Sequence, residues 1–355
     1  MTQTLPESSG NRILFLDNMR YLMVVFVVLL HAAMSYGTFG RHWVVGDAVA
    51  NIKLFDMTLL IIDVFAMPVL FFIAGYFALP NIQKKGPGVF LKDKFMRLGI
   101  PWLISIIFIV PIITYIYHYK HLGKKQLLTY GQYWISWIKT ASDFPTGFWS
   151  PMYPNIVNFN QTAYWFISLL LFFFIIFTII YILKKRICPS SSIQEKTHSG
   201  KTMLLIMLSV WLLNIIMSAL VSMIPSPFPD PFIIIAGVLQ FQAWRLATYI
   251  IYFALGVYAF SRNWFVKDNN FPGHPFLWIA ICIILCFGLG LIVILSNFLS
   301  NMESIQTDSG LIITFMLLRS LLRETFLIVF ASIAFRYWNR PHKINETLAA
   351  NSYNI

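Results

Sequence analysis

Eight long apolar runs dominate this chain and constrain what it can fold into. A helix needs about 20 mostly apolar residues to cross the hydrocarbon core of a bilayer. Because lipid offers no partners to backbone polar groups, a run of this length has to form a helix there. We therefore predict an all-α polytopic membrane protein with at least eight transmembrane helices. The predicted spans are 21–39, 54–79, 98–117, 163–183, 203–224, 243–260, 276–297 and 310–335.

The composition excludes several other classes of protein. Only 11% of the 355 residues are charged, whereas a soluble domain carries about 25%. The net charge of +12 could suggest nucleic acid, but a basic excess in a membrane protein reflects cytoplasmic loops. No soluble basic module is visible, so we expect no nucleic-acid partner. Three cysteines, an odd number, do not make a disulfide framework.

Lysine and arginine residues orient the spans. Most of the 26 basic residues fall in connections on the same side as the N-terminus, and cytoplasmic loops carry such an excess. The N-terminus is therefore predicted to be cytoplasmic. The apolar stretch 232–241 is too short to span, which indicates a re-entrant or interfacial segment.

The longest predicted outer loop, 118–161, is rich in aromatic residues, proline and asparagine. Two interpretations are open for its aromatic residues. They could form an interfacial belt, or they could stack against the apolar faces of sugar rings. The residues concerned are Trp134, Trp137, Trp149 and Tyr153.

Arg20 and His31 form the sharpest pair of polar residues in the predicted spans. They are 11 residues apart, which puts them on one helix face, about 20° apart and about 16 Å apart along the axis. We expect Arg20 at the cytoplasmic mouth and His31 near the middle of the membrane. Ionisable groups in spans are functional candidates by default. The alternative is a structural histidine with an arginine that reaches lipid headgroups.

Lys94 and Arg97 precede the third span and share a helix face at three-residue spacing. We expect them at the same level as Arg20. Three cations at one level would suit a phosphate group. Ordinary positive-inside loop charge is the alternative.

The outer half of the predicted bundle also contains charged side chains. Asp63 could orient His31, pair with an arginine or lie at the interface. Arg319 and Arg323 share a face at four-residue spacing, which could attract an anionic or hydroxylated acceptor. A structural network of these arginines with Glu324 is equally open.

Small residues and cysteines in the spans favour structural roles. Gly75 and Gly256 are expected to permit close helix packing. Cys282 and Cys286 lie one turn apart without nearby histidine or acidic residues, so we interpret them as packing residues and expect no metal site.

Several short motifs follow one another along the chain. They are RILFLDNMR at 12–20, the Arg20-x10-His31 spacing, FFIAGYF at 71–77, KFMRLGIP at 94–101, YWF at 164–166 and FALG at 253–256. Together they resemble the motifs of the acyltransferase-3 family of integral-membrane O-acyltransferases, which includes bacterial glucan succinyltransferases and lipopolysaccharide O-acetyltransferases. Ala74 stands where the family usually has serine, and Lys94 where it has arginine.

The resemblance covers nearly the whole chain as one membrane-embedded domain, 1–355, with one departure. Family members generally have about ten spans. The sequence given ends at NSYNI, residues 351–355, within a late family segment. We therefore expect the chain to be C-terminally incomplete relative to the family, by two spans.

The resemblance implies acyl transfer from cytoplasmic acyl-CoA, either acetyl-CoA or succinyl-CoA, to a carbohydrate or glycolipid hydroxyl. It implies a bacterial inner-membrane protein in contact with membrane lipid. Arg20, Lys94 and Arg97 would hold the CoA phosphates. His31 would act as general base or relay the acyl group, with Asp63 or Asp17 as its carboxylate partner.

We expect the acceptor to be bound on the outer side, by Arg319, Arg323, Glu324 and Trp165. Two other functions remain open. A transporter or flippase for a glycan or lipid would also use buried charges and aromatic loops, although such proteins often show inverted repeats, which this sequence lacks. A non-catalytic membrane partner is the third possibility.

Overall fold

The computed structural model describes residues 14–37, 52–122, 128–142, 149–150, 161–187, 200–222, 232–235, 238–265, 274–300 and 309–338. Nearly all of these residues are helical. The helices are α1 (Leu14–Met34), α2 (Lys53–Lys85), α3 (Pro87–Lys94), α4 (Ile100–Ile104), α5 (Val110–Leu122), α6 (Tyr130–Ser142), α7 (Trp165–Ile187), α8 (Gly200–Ser222), α9 (Ala243–Ser261), α10 (Pro275–Ser300) and α11 (Ser309–Tyr337).

Seven helical stretches within the described ranges are long and apolar enough to cross a membrane. The eighth predicted span corresponds to α11, which has 29 residues. Its charged residues, among them Arg319, Arg323 and Glu324, make it less apolar than the others. The prediction of an all-α polytopic membrane protein is confirmed.

The first helix begins earlier than the sequence predicts. It starts at Leu14 rather than at residue 21, and because it ends at Met34 rather than at residue 39, His31 lies in its last turn. His31 is therefore close to the end of this helix, and its expected depth near the middle of the membrane stays a prediction. The apolar run predicts too late a start because it leaves out the charged residues Asp17 and Arg20. These two side chains form an ion pair three residues apart, which lowers the cost of placing their charges inside a span.

The third span is one continuous helical stretch, Pro87–Tyr117, that changes its winding twice. Two π-helical segments, Phe95–Gly99 and Ser105–Ile109, interrupt the α-helical hydrogen bonding. Such segments are often found at functional sites. Arg97 lies in the first of them, so the local winding sets the direction of this cation.

Helix α2 forms the centre of the core and packs closely against α9. A Cβ atom on Gly75 would lie 2.0 Å from the Phe253 carbonyl oxygen, and one on Gly256 would lie 2.0 Å from the Phe72 carbonyl oxygen. Two backbones can approach this closely only where side chains are absent. The prediction that both glycines serve helix packing is confirmed.

The apolar stretch 232–241, expected to be a re-entrant or interfacial segment, contributes two paired β-strands. Strands β1 (Trp149–Ser150), β2 (Phe232–Ile235) and β3 (Leu239–Gln242) make a small antiparallel sheet in that order. Phe232 pairs with Gln242 and Ile235 with Leu239. Strand β2 consists of one phenylalanine and three isoleucines, and β3 alternates apolar residues with glutamine. Both patterns suit short strands.

A buried glutamine joins this sheet to the helices. The Gln161 Nε2 donates to the Val238 carbonyl at 2.8 Å, and its Oε1 accepts from Trp102 Nε1 at 3.2 Å and from Ser168 Oγ at 2.8 Å. The Gln161 backbone N–H donates to Gln240 Oε1 at 2.7 Å. The side chain is fully buried, so these bonds fix the hairpin over the ends of α4 and α7.

The predicted outer loop 118–161 contains helix α6. Trp137 and Tyr133 of this helix are buried against Trp102 and Val110 of the third span. The Trp134 Nε1 donates to the Ile107 carbonyl at 2.9 Å. These contacts give Trp137 a packing role, whereas Trp134 is half-buried, and both the belt and the sugar-stacking interpretations of it stay predictions. The side chain of Trp149, like all of Tyr153, lies outside the described part.

Candidate functional site

The described helices bring charged side chains together in two groups, and the first group includes the exposed residues Lys85 and Arg97. The inner cation cluster consists of Arg20, Lys85, Lys94 and Arg97, and it lies towards the end of the bundle that carries the basic connections. The outer charge cluster consists of Asp63, Arg245 and Arg319. The sequence identifies most of these residues as candidates but does not show which of them contact one another.

Arg20 is held at the inner cluster by its own helix. Its Nη2 lies 3.2 Å from Asp17 Oδ1, one turn earlier in α1. Asp17 is buried, and only 14% of the Arg20 side chain is exposed. The ion pair fixes the direction of the guanidinium and reduces the cost of its burial. The structure therefore pairs the predicted carboxylate Asp17 with Arg20.

Lys94 lies between aromatic rings and other cations. Its Nζ is 4.2 Å from the centre of the Phe174 ring and 5.5 Å from that of Phe90, distances at which a ring face attracts a cation. Arg20, Arg97 and Lys85 are all close enough to interact with Lys94 electrostatically. The structure thus brings the three predicted phosphate-binding residues together.

The inner cation cluster can bind an anion. Mutual repulsion of its cations is relieved when a polyanion such as a phosphate group enters, because each positive group then gains a counter-charge. The guanidinium groups of Arg20 and Arg97 offer planar pairs of donors that match phosphate oxygens. Lys85 also forms an ion pair with Asp93, which ties the end of α2 to α3.

His31 is half-buried in the last turn of α1. Its Nδ1 lies 2.7 Å from the Val27 carbonyl oxygen. Because a carbonyl oxygen only accepts, Nδ1 carries the proton in this bond. In the neutral ring the basic electron pair then lies on Nε2. The bond therefore sets both the orientation of the ring and the nitrogen that can take a proton.

Asp63 lies close in depth to His31, on the neighbouring helix α2. The Phe26 and Phe65 rings are in contact at 5.4 Å between their centres, and Leu30 packs in one cluster with Leu59. These contacts place His31 and Asp63 within about one helical turn of each other along the bundle axis.

Asp63 forms the centre of the outer charge cluster. Its Oδ1 and Oδ2 accept from Arg245 Nη1 and Nη2 at 2.5 and 2.6 Å, and Oδ2 also accepts from Arg319 Nη2 at 2.5 Å. About a third of the Asp63 side chain is still exposed (34%). The sequence left three alternatives open for Asp63, and the structure shows the one in which it pairs with arginine.

Aromatic side chains surround this cluster. The Trp244 ring lies against both arginines, with its centre 4.4 Å from Arg245 Cζ and 5.1 Å from Arg319 Cζ. Tyr249 interacts electrostatically with Arg245, and the Trp165 ring lies 5.8 Å from the Tyr249 ring. Trp165 is half-buried. A path of aromatic rings therefore leads from Trp165 to the paired arginines.

Arg323 and Glu324 are placed differently from Arg319. Arg323 is buried and donates to Thr248 Oγ1 at 2.9 Å and to the Val64 carbonyl at 3.3 Å. Glu324 is buried too, and it accepts from Asn214 Nδ2 at 3.2 Å. Both join helices to one another. The contacts of Arg323 and Glu324 agree with the alternative of a structural network, whereas Arg319 belongs to the outer charge cluster.

Sequence reasoning gave Arg245, Trp244 and Tyr249 no role. The adjacent tryptophan and arginine at the start of a span were the available signal, because arginine is costly there without a partner. Among the described residues, no group of three His, Cys, Asp or Glu side chains could hold a metal ion. Cys282 and Cys286 both lie in α10.

Comparison with known proteins gives one finding. A family model described as an acyltransferase domain, Acyl_transf_3, matches residues 13–355. No curated protein and no solved structure matches the chain.

Proposed function

The chain belongs to the acyltransferase-3 family and is an integral-membrane acyltransferase, and on that basis we propose its donor, acceptor and catalytic residues. We propose that it moves an acetyl or succinyl group from cytoplasmic acyl-CoA to a hydroxyl group of a cell-surface carbohydrate or glycolipid. We further propose that it works in a bacterial inner membrane. The matched region contains both charge clusters and His31.

The inner cation cluster is the proposed donor site. Arg20, Lys94 and Arg97 would hold the phosphates of CoA, because phosphate oxygens accept from guanidinium and ammonium groups at once. Arg20 and His31 are both on α1, 11 residues apart, which corresponds to about 16 Å along the axis. The pantetheine arm would extend across that distance and carry the thioester towards His31. This shared helix is the observation that carries the proposal.

His31 is the proposed general base. Its Nε2 would remove the proton from the acceptor hydroxyl while the hydroxyl oxygen attacks the thioester carbonyl. The carbon–sulfur bond then breaks, and the thiolate takes the proton back from the imidazolium. The bond from Nδ1 to the Val27 carbonyl supports this role, because it leaves Nε2 as the proton acceptor and would steady the imidazolium when it forms.

The outer charge cluster and Trp165 are the proposed acceptor side. Arg319 could donate to an anionic or hydroxylated acceptor, and the face of Trp165 suits the apolar face of a sugar ring. Asp63 would hold Arg245 and Arg319 in place rather than act on the thioester itself. Arg323 and Glu324 would support this site from within the packed helices.

A labelled donor separates this function from transport without chemistry. Membranes that contain the full chain are incubated with acetyl-CoA or succinyl-CoA labelled in the acyl group, and the glycan fraction is isolated. An acyltransferase transfers the label to glycan, and alkaline hydrolysis releases it as the free acid. A flippase would move the glycan across the membrane without labelling it. Unlabelled glycan would therefore contradict the proposal.

A further inference from the structure

A pocket of about 380 Å³ lies between the ends of α2 and α7, outside both charge clusters. The α2 side contributes the buried Ile82 and the amide of Gln83, and the α7 side contributes Lys185 and Arg186. The complete lining is Ile82, Gln83, Gly86, Pro87, Tyr181, Ile182, Lys185 and Arg186.

The pocket is apolar on one side and cationic on the other. Ile82 lies about one turn inside the end of α2 and Ile182 about one and a half turns inside the end of α7, whereas Lys185 and Arg186 are in the last turn of α7. Both cations are exposed. A ligand that fits this arrangement has a negative head and a hydrocarbon portion next to it.

The chain turn at Gly86 shapes one wall. Gly86 has a φ of +78°, a conformation that residues with a side chain rarely adopt. Its N–H donates to the Ile82 carbonyl at 2.9 Å, which ends α2, and Pro87 then begins α3. The wall is therefore part of the folded backbone and does not depend on a flexible side chain.

We propose that this pocket binds the phosphate headgroup of an anionic phospholipid from the cytoplasmic leaflet. Arg186 offers a planar pair of donors and Lys185 an ammonium group to the phosphate oxygens, and Gln83 adds an amide donor. The apolar side at Ile182 receives the first part of an acyl chain. Basic pockets between spanning helices on this side of a membrane commonly bind such headgroups.

The same chemistry could accept a phosphate from a soluble molecule, but the position favours lipid. The pocket shares no residue with the inner cation cluster. It lies at the level where two spanning helices end, next to residues such as Leu183 that are exposed on the helix surface. An anionic leaflet concentrates phosphodiester groups at this level, whereas a free phosphate would gain nothing from the apolar side.

The test is a lipid titration of the purified full chain in neutral detergent, followed by native mass spectrometry. The probes are dioleoylphosphatidylglycerol, dioleoylphosphatidylcholine, inorganic phosphate and coenzyme A. The variants are Lys185→Gln with Arg186→Gln, and Ile182→Trp, which fills the apolar side. The matched control, Lys184→Gln with Lys201→Gln, removes the same charge from exposed positions that do not line the pocket.

Each basic side chain near an anionic surface strengthens binding about five-fold, so loss of two should weaken phosphatidylglycerol binding roughly 20- to 30-fold. Ile182→Trp should also weaken it, while the control and the phosphatidylcholine titration should change little. The proposal would be overturned if the control variant weakened phosphatidylglycerol binding as much as the pocket variants do. It would also be overturned if the pocket variants weakened the binding of both lipids equally. Unchanged lipid binding with loss of phosphate or coenzyme A binding, which would indicate a soluble ligand, would overturn it too. None of these readings depends on acyl transfer.

Discussion

Asp63 binds Arg245 through both carboxylate oxygens, although 182 residues separate the two in sequence. The pair joins α2 to α9 at a second place, about 17 Å along the helices from the close backbone contact at Gly75 and Gly256. A charge in this environment is costly unless a partner compensates it. The ion pair therefore has a structural role that is independent of any catalytic role of Asp63.

Asp63→Asn should destabilise the protein, because it leaves Arg245 and Arg319 without their counter-charge. Removing one partner of a fully buried pair costs about 3–5 kcal/mol, and with a third of the Asp63 side chain exposed we expect about 2 kcal/mol. Thermal unfolding in detergent measures this. Asp93→Asn, which breaks an exposed pair with Lys85, is the control and should change little. Equal melting temperatures for the two variants would contradict the prediction.

Lys94→Gln should raise the KM for acyl-CoA roughly ten-fold or more, since a hydrogen bond to a charged group contributes about 1.5–3 kcal/mol. Arg97→Gln should act in the same direction. The kcat should change much less, because the donor phosphates are remote from the reacting carbonyl. Lys92→Gln, an exposed lysine in the same helix α3, serves as the control. If the variants altered only the affinity for the acceptor, the donor site would be placed wrongly.

Gly256→Ala should disrupt the contact between α2 and α9, since its new methyl group would overlap the Phe72 carbonyl oxygen. Overpacking of this kind typically costs about 1–3 kcal/mol. Gly290→Ala in α10 is the matched control, because a Cβ there meets no atom within 4 Å. The control should keep or slightly raise stability, as alanine favours helix. Comparable melting temperatures for both variants would argue against tight packing at Gly256.

Gln161→Leu should loosen the small sheet at the outer end. The substitution removes the acceptor for Trp102 Nε1 and the donor to the Val238 carbonyl, and each buried polar group left unpaired costs about 1–3 kcal/mol. Limited proteolysis and thermal unfolding both report the change. Gln132→Leu removes only exposed hydrogen bonds from Thr129 at the start of α6 and should therefore have a smaller effect, confined to that helix end. Unchanged protease resistance in Gln161→Leu would count against the anchoring role.

The sequence was sufficient to predict the spanning helices and the inner cation cluster. A long apolar run is stable in lipid only as a helix. The motifs that contain Arg20, Lys94 and Arg97 predicted that these three cations lie close together. The start of α1 could not be predicted from hydropathy, because Asp17 and Arg20 neutralise each other within the helix. At the other end the apolar run continues to residue 39 whereas the helix ends at Met34, so His31 is closer to the helix end than the run predicts.

Pairs that are distant in the chain were harder to predict. Nothing in the local sequence of Asp63 identifies Arg245 as its partner, since their contact depends on how α2 and α9 pack. The hairpin at 232–242 was missed because its few apolar residues fit a short helix as well as a strand. Its stability depends on Gln161, which lies far away in sequence and reaches it only in the folded chain.

The most direct test of the account concerns His31. Membranes with the wild-type chain, His31→Ala or His274→Ala are given acyl-labelled acetyl-CoA or succinyl-CoA, and ester-linked label on the glycan is measured at equal protein levels. His274 is an exposed histidine before α10 and provides the control. We predict that His31→Ala abolishes transfer while His274→Ala retains it. Transfer by His31→Ala at the rate of the control would contradict the proposed mechanism.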